Sequence, residues 1–279
     1  MSRKRVDWKI KNEVLHLGER TLIVGAMNVA PDSPMDGGRY EDPDRAFVQA
    51  VQMADQGADI IEIAAESFHS GSKRISEAEE LRRLIPILKR VRGKVSPLIC
   101  VETYKPAVAE KAIEHGAVII KDPTGLTLDQ ELAKIVMQHD VGFILQHTRG
   151  TPDTWPKQGS MKGAVGMVMA ELNAALNRAG RMGVERTRLA LDVGLGMGKR
   201  KETNSELITG LSEFHEMRLP VEVSPEGHPF NAAITLEPSL GTTIAAVTMA
   251  VLRGAHLVRV HNVEAIRPAI LVADQALIG

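Results

Sequence analysis

GADII at residues 57–61, GAVII at 116–120 and GAHLV at 254–258 are three copies of one joint. Each ends an amphipathic stretch with glycine and enters a run of β-branched residues. Glycine tolerates the left-handed conformation that closes a helix, so the joint reads as helix, glycine cap, strand. Gly142 and Gly183 punctuate two further returns to a strand in the same way.

Outward from these joints the pattern repeats along the chain. The strand candidates are residues 21–27, 59–63, 97–101, 118–121, 142–146, 188–192, 220–224 and 257–260. Between them lie helical patterns such as DRAFVQAVQMADQGA, KPAVAEKAIEHGA, GMVMAELNAALNRAGRMG and GTTIAAVTMAVLRGA. Helices between successive strands make the strands parallel and buried on both faces, which suits their nearly continuous apolar character. Eight βα units without a large insertion predict a closed (β/α)8 TIM barrel, a single domain over residues 1–279. A doubly wound sheet is the alternative, but it usually carries a glycine fingerprint after its first strand, and none stands here. Residues 7–20 alternate in polarity and predict a hairpin closing the bottom of the barrel.

The 34 basic and 35 acidic residues nearly cancel, which argues against a nucleic-acid or anionic-membrane partner held by bulk charge. Cys100 is the single cysteine, so no internal disulfide forms, and its apolar setting reads as a buried thiol. The N-terminus has a basic start but no apolar secretory core, and no apolar run reaches the roughly 20 residues of a membrane span. The expectation is a soluble, cytoplasmic protein.

Barrels of this kind carry their chemistry at the C-terminal ends of the strands. A polar residue stands at nearly every one: Asn28, Glu66, Glu102, Lys121, Asp122, His147, Asp192, Glu222, Ser224, Arg259 and His261. Arg259 and His261 are two apart and face the same side of their strand. With Asn28 on the adjoining strand they form a candidate cradle for phosphate or pyrophosphate, and Asn28 offers an oxygen to Mg2+. A structural Arg–carboxylate pair with a buried histidine is the competing reading. Glu102 and Asp192 are candidates to accept the N–H edge of a flat heterocycle; rim ion pairs with Lys121 or Lys199 account for the same residue types. The histidines lack zinc spacing, and GLGMGK (194–199) is followed by Arg200, which breaks the phosphate-loop order.

The segments NVAPDSPMDGG (28–38), GADIIEIAAES (57–67), VETYKPAVAEKAIEHGA (101–117), KDPTG (121–125), QHTRGTP (146–152), LDVGLGMGK (191–199) and VRVHNV (258–263) resemble, in order and spacing, those of the dihydropteroate synthase family. These are pterin-binding TIM barrels of folate synthesis. The resemblance implies a transferase in which the amine of p-aminobenzoate displaces pyrophosphate from a dihydropterin, assisted by Mg2+, in a homodimer. It assigns Asn28, Arg259 and His261 to metal and pyrophosphate, Glu102 and Asp192 to the pterin, and Asp36 to the mobile first loop.

The chain departs from the family's pattern at defined places. The second mobile loop of the family reads Glu-Ser-Thr-Arg-Pro-Gly; here it is ESFHSG, with Phe68 and His69 in place of threonine and arginine. The family's Gly-x-Ser-Arg-Lys is EVSPE, with Glu222 for glycine, Pro225 for arginine and Glu226 for the pterin-holding lysine. Lys121 replaces a pterin-binding asparagine. A buried carboxylate needs a partner, so Lys121 is expected to pair with Glu222 or Glu226. The leading expectation is a synthase-like transferase. A paralogue acting on another pterin or phosphorylated substrate, and a non-catalytic pterin- or anion-binding protein, are the alternatives.

Overall fold

Gly57, Gly116 and Gly254 take φ of +96°, +108° and +96° in the computed structural model, which describes residues 3–228 and 239–278. Each Gly-Ala joint therefore turns a helix into a strand as the sequence predicts. Gly142 differs. It opens its strand, and the left-handed residue before it is Asp140, at φ +56°. A Cβ on Gly142 would lie 3.0 Å from Ile10 and 3.2 Å from Trp8, so glycine is needed there for packing, not for a turn.

The chain opens with an antiparallel hairpin, β1 (Val6–Ile10) and β2 (Glu13–Leu17), followed by eight parallel strands. These are β3 (Leu22–Asn28), β4 (Ile60–Ala64), β5 (Leu98–Glu102), β6 (Ile119–Asp122), β7 (Gly142–Gln146), β8 (Leu189–Asp192), β9 (Val221–Val223) and β10 (Leu257–Val260). β10 pairs with both β3 and β9, which closes the barrel. The helices between and after the strands are α1 (Pro43–Asp55), α2 (Glu77–Val91), α3 (Pro106–Glu114), α4 (Leu132–His139), α5 (Ala164–Arg181), α6 (Lys201–Thr209), α7 (Leu240–Leu252) and α8 (Val263–Ile278). No described helix is long and apolar enough to cross a membrane.

Two apolar regions hold this arrangement. The larger lies between the outward faces of the strands and the helices, for example Ile61, Ile63 and Val101 against Leu84 and Leu88. The smaller fills the lower barrel, where Val24, Ile60, Cys100, Ile144 and Leu257 meet Trp8, Ile10 and Leu17 of the hairpin. Trp8 is fully buried, and its indole N–H donates to the carbonyl of Arg188 at 2.9 Å. The hairpin thus plugs the N-terminal end. Period-two alternation sends the next inward residues on each strand, Glu62, Glu102, Lys121, Asp192 and Arg259, into the layer above.

Candidate active site

Directly above the apolar layer lies a layer of charge. Glu62, Lys121, Asp192 and Glu222 are each 0 % exposed. The Lys121 ammonium donates to Glu222 and lies 2.9 Å from Asp192 Oδ2 and 3.5 Å from Glu62 Oε2. Arg259 Nε donates to Glu62 Oε1. Strand register creates these meetings: Glu102 pairs with Lys121, Asp192 with Glu222, and Leu257 with Glu222. Of the two partners expected for Lys121, the structure selects Glu222.

The layer holds two cations and four carboxyls, and protonation resolves the excess. Burial, reinforced by Asp192 and Glu62, pushes Glu222 up to about 8 against the pull of Lys121. Burial, with Glu62 beside it, pushes Glu102 up to about 7. Burial would raise Asp192 and Glu62 as well, but Lys121 outweighs it at Asp192, and Arg259 with Lys121 at Glu62, so both stay below the usual carboxylate range. At neutral pH Glu222 is an acid, and Asp192 and Glu62 are the counter-ions of Lys121 and Arg259.

Above this floor opens a cavity of about 360 Å³, a typical size for a small-molecule site. Its walls include Asn28, Glu102, Gln146, Ser224, Glu226, His228, Arg259 and His261. The terminal nitrogens of Arg259 have no partner among the described residues, and neither does the carboxyl of Glu102. Both lie open to a ligand. Glu226 does not reach Lys121; it accepts from the backbone N–H of His261 and stands 2.9 Å from His261 Nδ1. Burial opposes the Glu226 charge, but these His261 contacts hold its pKa low. On its other side His261 Nε2 is 3.7 Å from Asp36 Oδ2, which also accepts from the backbone N–H of Asn28 at 2.7 Å.

Three loops surround the mouth. Ser67 donates to Asp32 at 2.8 Å, joining the loops after β3 and β4, and Gly71 N–H donates to Pro152 O at 3.2 Å, joining those after β4 and β7. Phe68 lies edge-on to Trp155, with ring centroids 5.4 Å apart. His69 Nδ1 donates to the Ser70 carbonyl at 3.0 Å, so that nitrogen carries its proton within the loop. Gly196 leaves space for the His228 ring: a Cβ there would stand 2.2 Å from His228 Nδ1.

Asn28, Glu102, Glu226, Arg259, His261, Phe68 and His69 therefore share one cavity, with Asp36 behind it. Lys121, Asp192 and Glu222 do not line it; they are sealed beneath. Three other rim candidates are engaged away from this cavity. Glu66 accepts from Tyr104 and from Lys105, which also donates to Glu80; Asp122 ties the turn after β6 through Thr124 and Leu126, and His147 binds Glu171 at 2.8 Å. Glu62 escaped the sequence reading, although a charge inside a strand buried on both faces demands a partner. His228 and Trp155 escaped it too, because only loop conformation brings them to the cavity.

A family model described as pterin binding enzyme matches residues 24–261. The mitochondrial folate synthesis bifunctional protein of Pisum sativum is 35 % identical over 96 % of this chain, and the chain spans 56 % of that protein's length. The dihydropteroate synthase of Clostridium beijerinckii is 33 % identical, with 91 % of this chain and 94 % of that one covered. The dihydropteroate synthase of Yersinia pestis, solved with a sulfonamide drug, superposes with a TM-score of 0.92 at 26 % identity, covering 98 % of this chain and all of the other. Barrel, mouth and ordered motifs agree with these likenesses, and the chain belongs to the pterin-binding enzyme family.

Proposed function

We propose that the protein is a transferase of the dihydropteroate synthase type, acting in folate synthesis. An aromatic amine such as p-aminobenzoate attacks the methylene carbon of a dihydropterin methyl pyrophosphate. A C–N bond forms, the C–O bond to pyrophosphate breaks, and the amine gives up one proton. The observation that carries the reading is Arg259, anchored by Nε to Glu62 while its terminal nitrogens face the cavity beside Asn28 and His261. A guanidinium fixed in this way presents a rigid fork to an anion. Glu102, open and partly protonated near pH 7, meets a heterocycle from the floor. Lys121, Asp192 and Glu222 set the charge and depth of that floor, and Glu226 orients His261. Asp36, Phe68 and His69 belong to the loops that close over the bound substrates.

The residues fit magnesium as a minor protein ligand. Asn28 Oδ1 accepts the Ala30 N–H at 2.9 Å and keeps a second lone pair. Among the described residues no group of three or more acidic, histidine or cysteine side chains is arranged to hold a metal. Mg2+ usually takes one or two protein oxygens with water and substrate phosphates, so Asn28 is the residue assigned to it. When bound, the ion offsets charge on the leaving pyrophosphate.

The same reading includes a cytoplasmic homodimer. Leu240, Met249, Leu252, Leu271 and Val272 on α7 and α8 are exposed, an apolar face that a second copy would cover. Sedimentation of the native chain and a Leu271→Glu, Val272→Lys variant checks it.

One observation favours a second reading, a paralogue taking a different pterin or another phosphorylated substrate. The carboxyls expected to hold the pterin edge include Asp192, which is buried against Lys121. Incubation with dihydropterin pyrophosphate, p-aminobenzoate and Mg2+, followed by mass spectrometry, decides between them. Dihydropteroate formation supports the synthase reading. Binding of Mg2+–pyrophosphate without product supports the second, and neither result overturns both.

A further inference from the structure

We infer that the protein holds a second site, apart from the active cavity, for a small protonated oxyanion of the hydrogen phosphate kind. A separate cavity of about 150 Å³ opens between α5 and the loops that follow β6 and β7. Cavities near that size in other proteins take up a molecule as large as benzene, so one tetrahedral ion fits. Four side chains on its wall, Gln146, His147, Thr148 and Arg178, each carry a buried polar atom with no partner among the described residues. These atoms are Gln146 Nε2, His147 Nδ1, Thr148 Oγ1 and Arg178 Nε. Gln146 and His147 are only 2 % and 4 % exposed. A buried polar group without a partner is costly, and four on one wall mark the place of a polar occupant.

The four atoms define what that occupant offers. Gln146 Nε2 and Arg178 Nε are N–H donors, and the Thr148 hydroxyl donates as well. His147 is the exception. Its Nε2 lies 2.8 Å from Glu171 Oε2, so that nitrogen carries the proton and donates to the carboxylate. Nδ1 is left as a lone pair, and burial, which pushes the ring's pKa down to about 4, keeps it so at neutral pH. The occupant therefore accepts two or three hydrogen bonds and donates one. Hydrogen phosphate does both. Sulfate has no proton near neutral pH and would set an oxygen lone pair against that of His147. Charge favours an anion: Arg178 forms no salt bridge among the described residues, and its Nη2 donates to the Gly125 carbonyl at 2.7 Å. The two acids nearby are engaged, Glu171 with His147 and Asp122 with Thr124 and Leu126. Arg149 and Lys199 add positive charge on the His147 side, and Arg181 on the Arg178 side. Gln146 also lines the active cavity, so the two sites share one side chain.

The test is calorimetric titration of the full chain with inorganic phosphate and, separately, with sulfate. Phosphate is expected to bind at a site that survives Arg259→Gln, the substitution that removes the anion fork of the active cavity. Thr148→Val and Arg178→Gln should each weaken this binding about tenfold or more. Sulfate should bind the Arg259→Gln protein at least about tenfold more weakly than phosphate. Native protein saturated with Mg2+–pyrophosphate takes the place of Arg259→Gln if that variant does not fold. Thr148→Val and the sulfate comparison decide if Arg178→Gln does not fold. Phosphate binding that disappears with Arg259→Gln belongs to the active cavity and overturns the inference. Sulfate bound as tightly as phosphate overturns it too, as does a protein that binds no phosphate.

Discussion

Lys121 and Glu222, 101 residues apart in sequence, are hydrogen-bonded at the centre of the barrel with no exposed surface on either side chain. Lys121 also serves Asp192, so one ammonium organises the floor of the cavity. Desolvation of these charges is large, and their geometry must repay it.

The stability effects of the two side chains should therefore be coupled. Lys121→Met leaves Glu62, Asp192 and Glu222 without their shared cation, and we expect a loss of ~3–5 kcal/mol. The Lys121→Met, Glu222→Gln double variant should lose less than the two single losses added. Urea unfolding of the four proteins at one pH measures the coupling, and strict additivity would show that the pair is not coupled.

The raised pKa of Glu222, about 8, has a signed consequence for stability. The folded chain binds this proton more tightly than the unfolded chain. The associated stability is complete below the ordinary carboxylate pKa and falls as pH rises through about 8. Glu102, raised to about 7, acts in the same direction. Glu222→Gln should flatten the decline between about pH 5 and pH 9. Denaturant midpoints at several pH values check this, and an unchanged slope in the variant counts against the assignment.

Arg259→Gln should weaken Mg2+–pyrophosphate binding by about 10- to 100-fold, the usual worth of a charge-assisted contact. Arg259→Lys should not restore it, because a point charge replaces a two-pronged donor. Calorimetry reads the affinity. Equal affinity in all three proteins would move the anion site elsewhere.

Trp8→Ala should cost ~3–5 kcal/mol by opening a cavity at the bottom of the barrel. The hairpin is on the opposite end from the cavity lined by Asn28 and His261. The substitution should lower the melting temperature and leave kcat near its native value below that temperature. Thermal unfolding beside steady-state kinetics separates the two effects.

The barrel was legible in the sequence because its signals are local. Glycine after a helix, β-branched runs and the polarity of residues 7–20 each act over a few residues, and each predicted strand is present in the structure. Arg259 and His261 were legible as a pair because strand alternation is fixed by the backbone. Gly142 shows the limit even at short range: the same residue type meets a packing need there, and Asp140 makes the turn.

The sequence by itself determined the eight βα units, the hairpin plug and the set of polar residues at the strand ends. Tertiary structure decided what those residues do to each other. Closure of the barrel put Lys121 against Glu222 and Asp192 and left Glu226 to His261. It also gave Arg259 to Glu62, a residue that looked like part of an apolar strand. The physical reason is that backbone signals depend on near neighbours, whereas the protonation and pairing of a buried charge depend on every charge around it. Those neighbours are set only when distant strands meet.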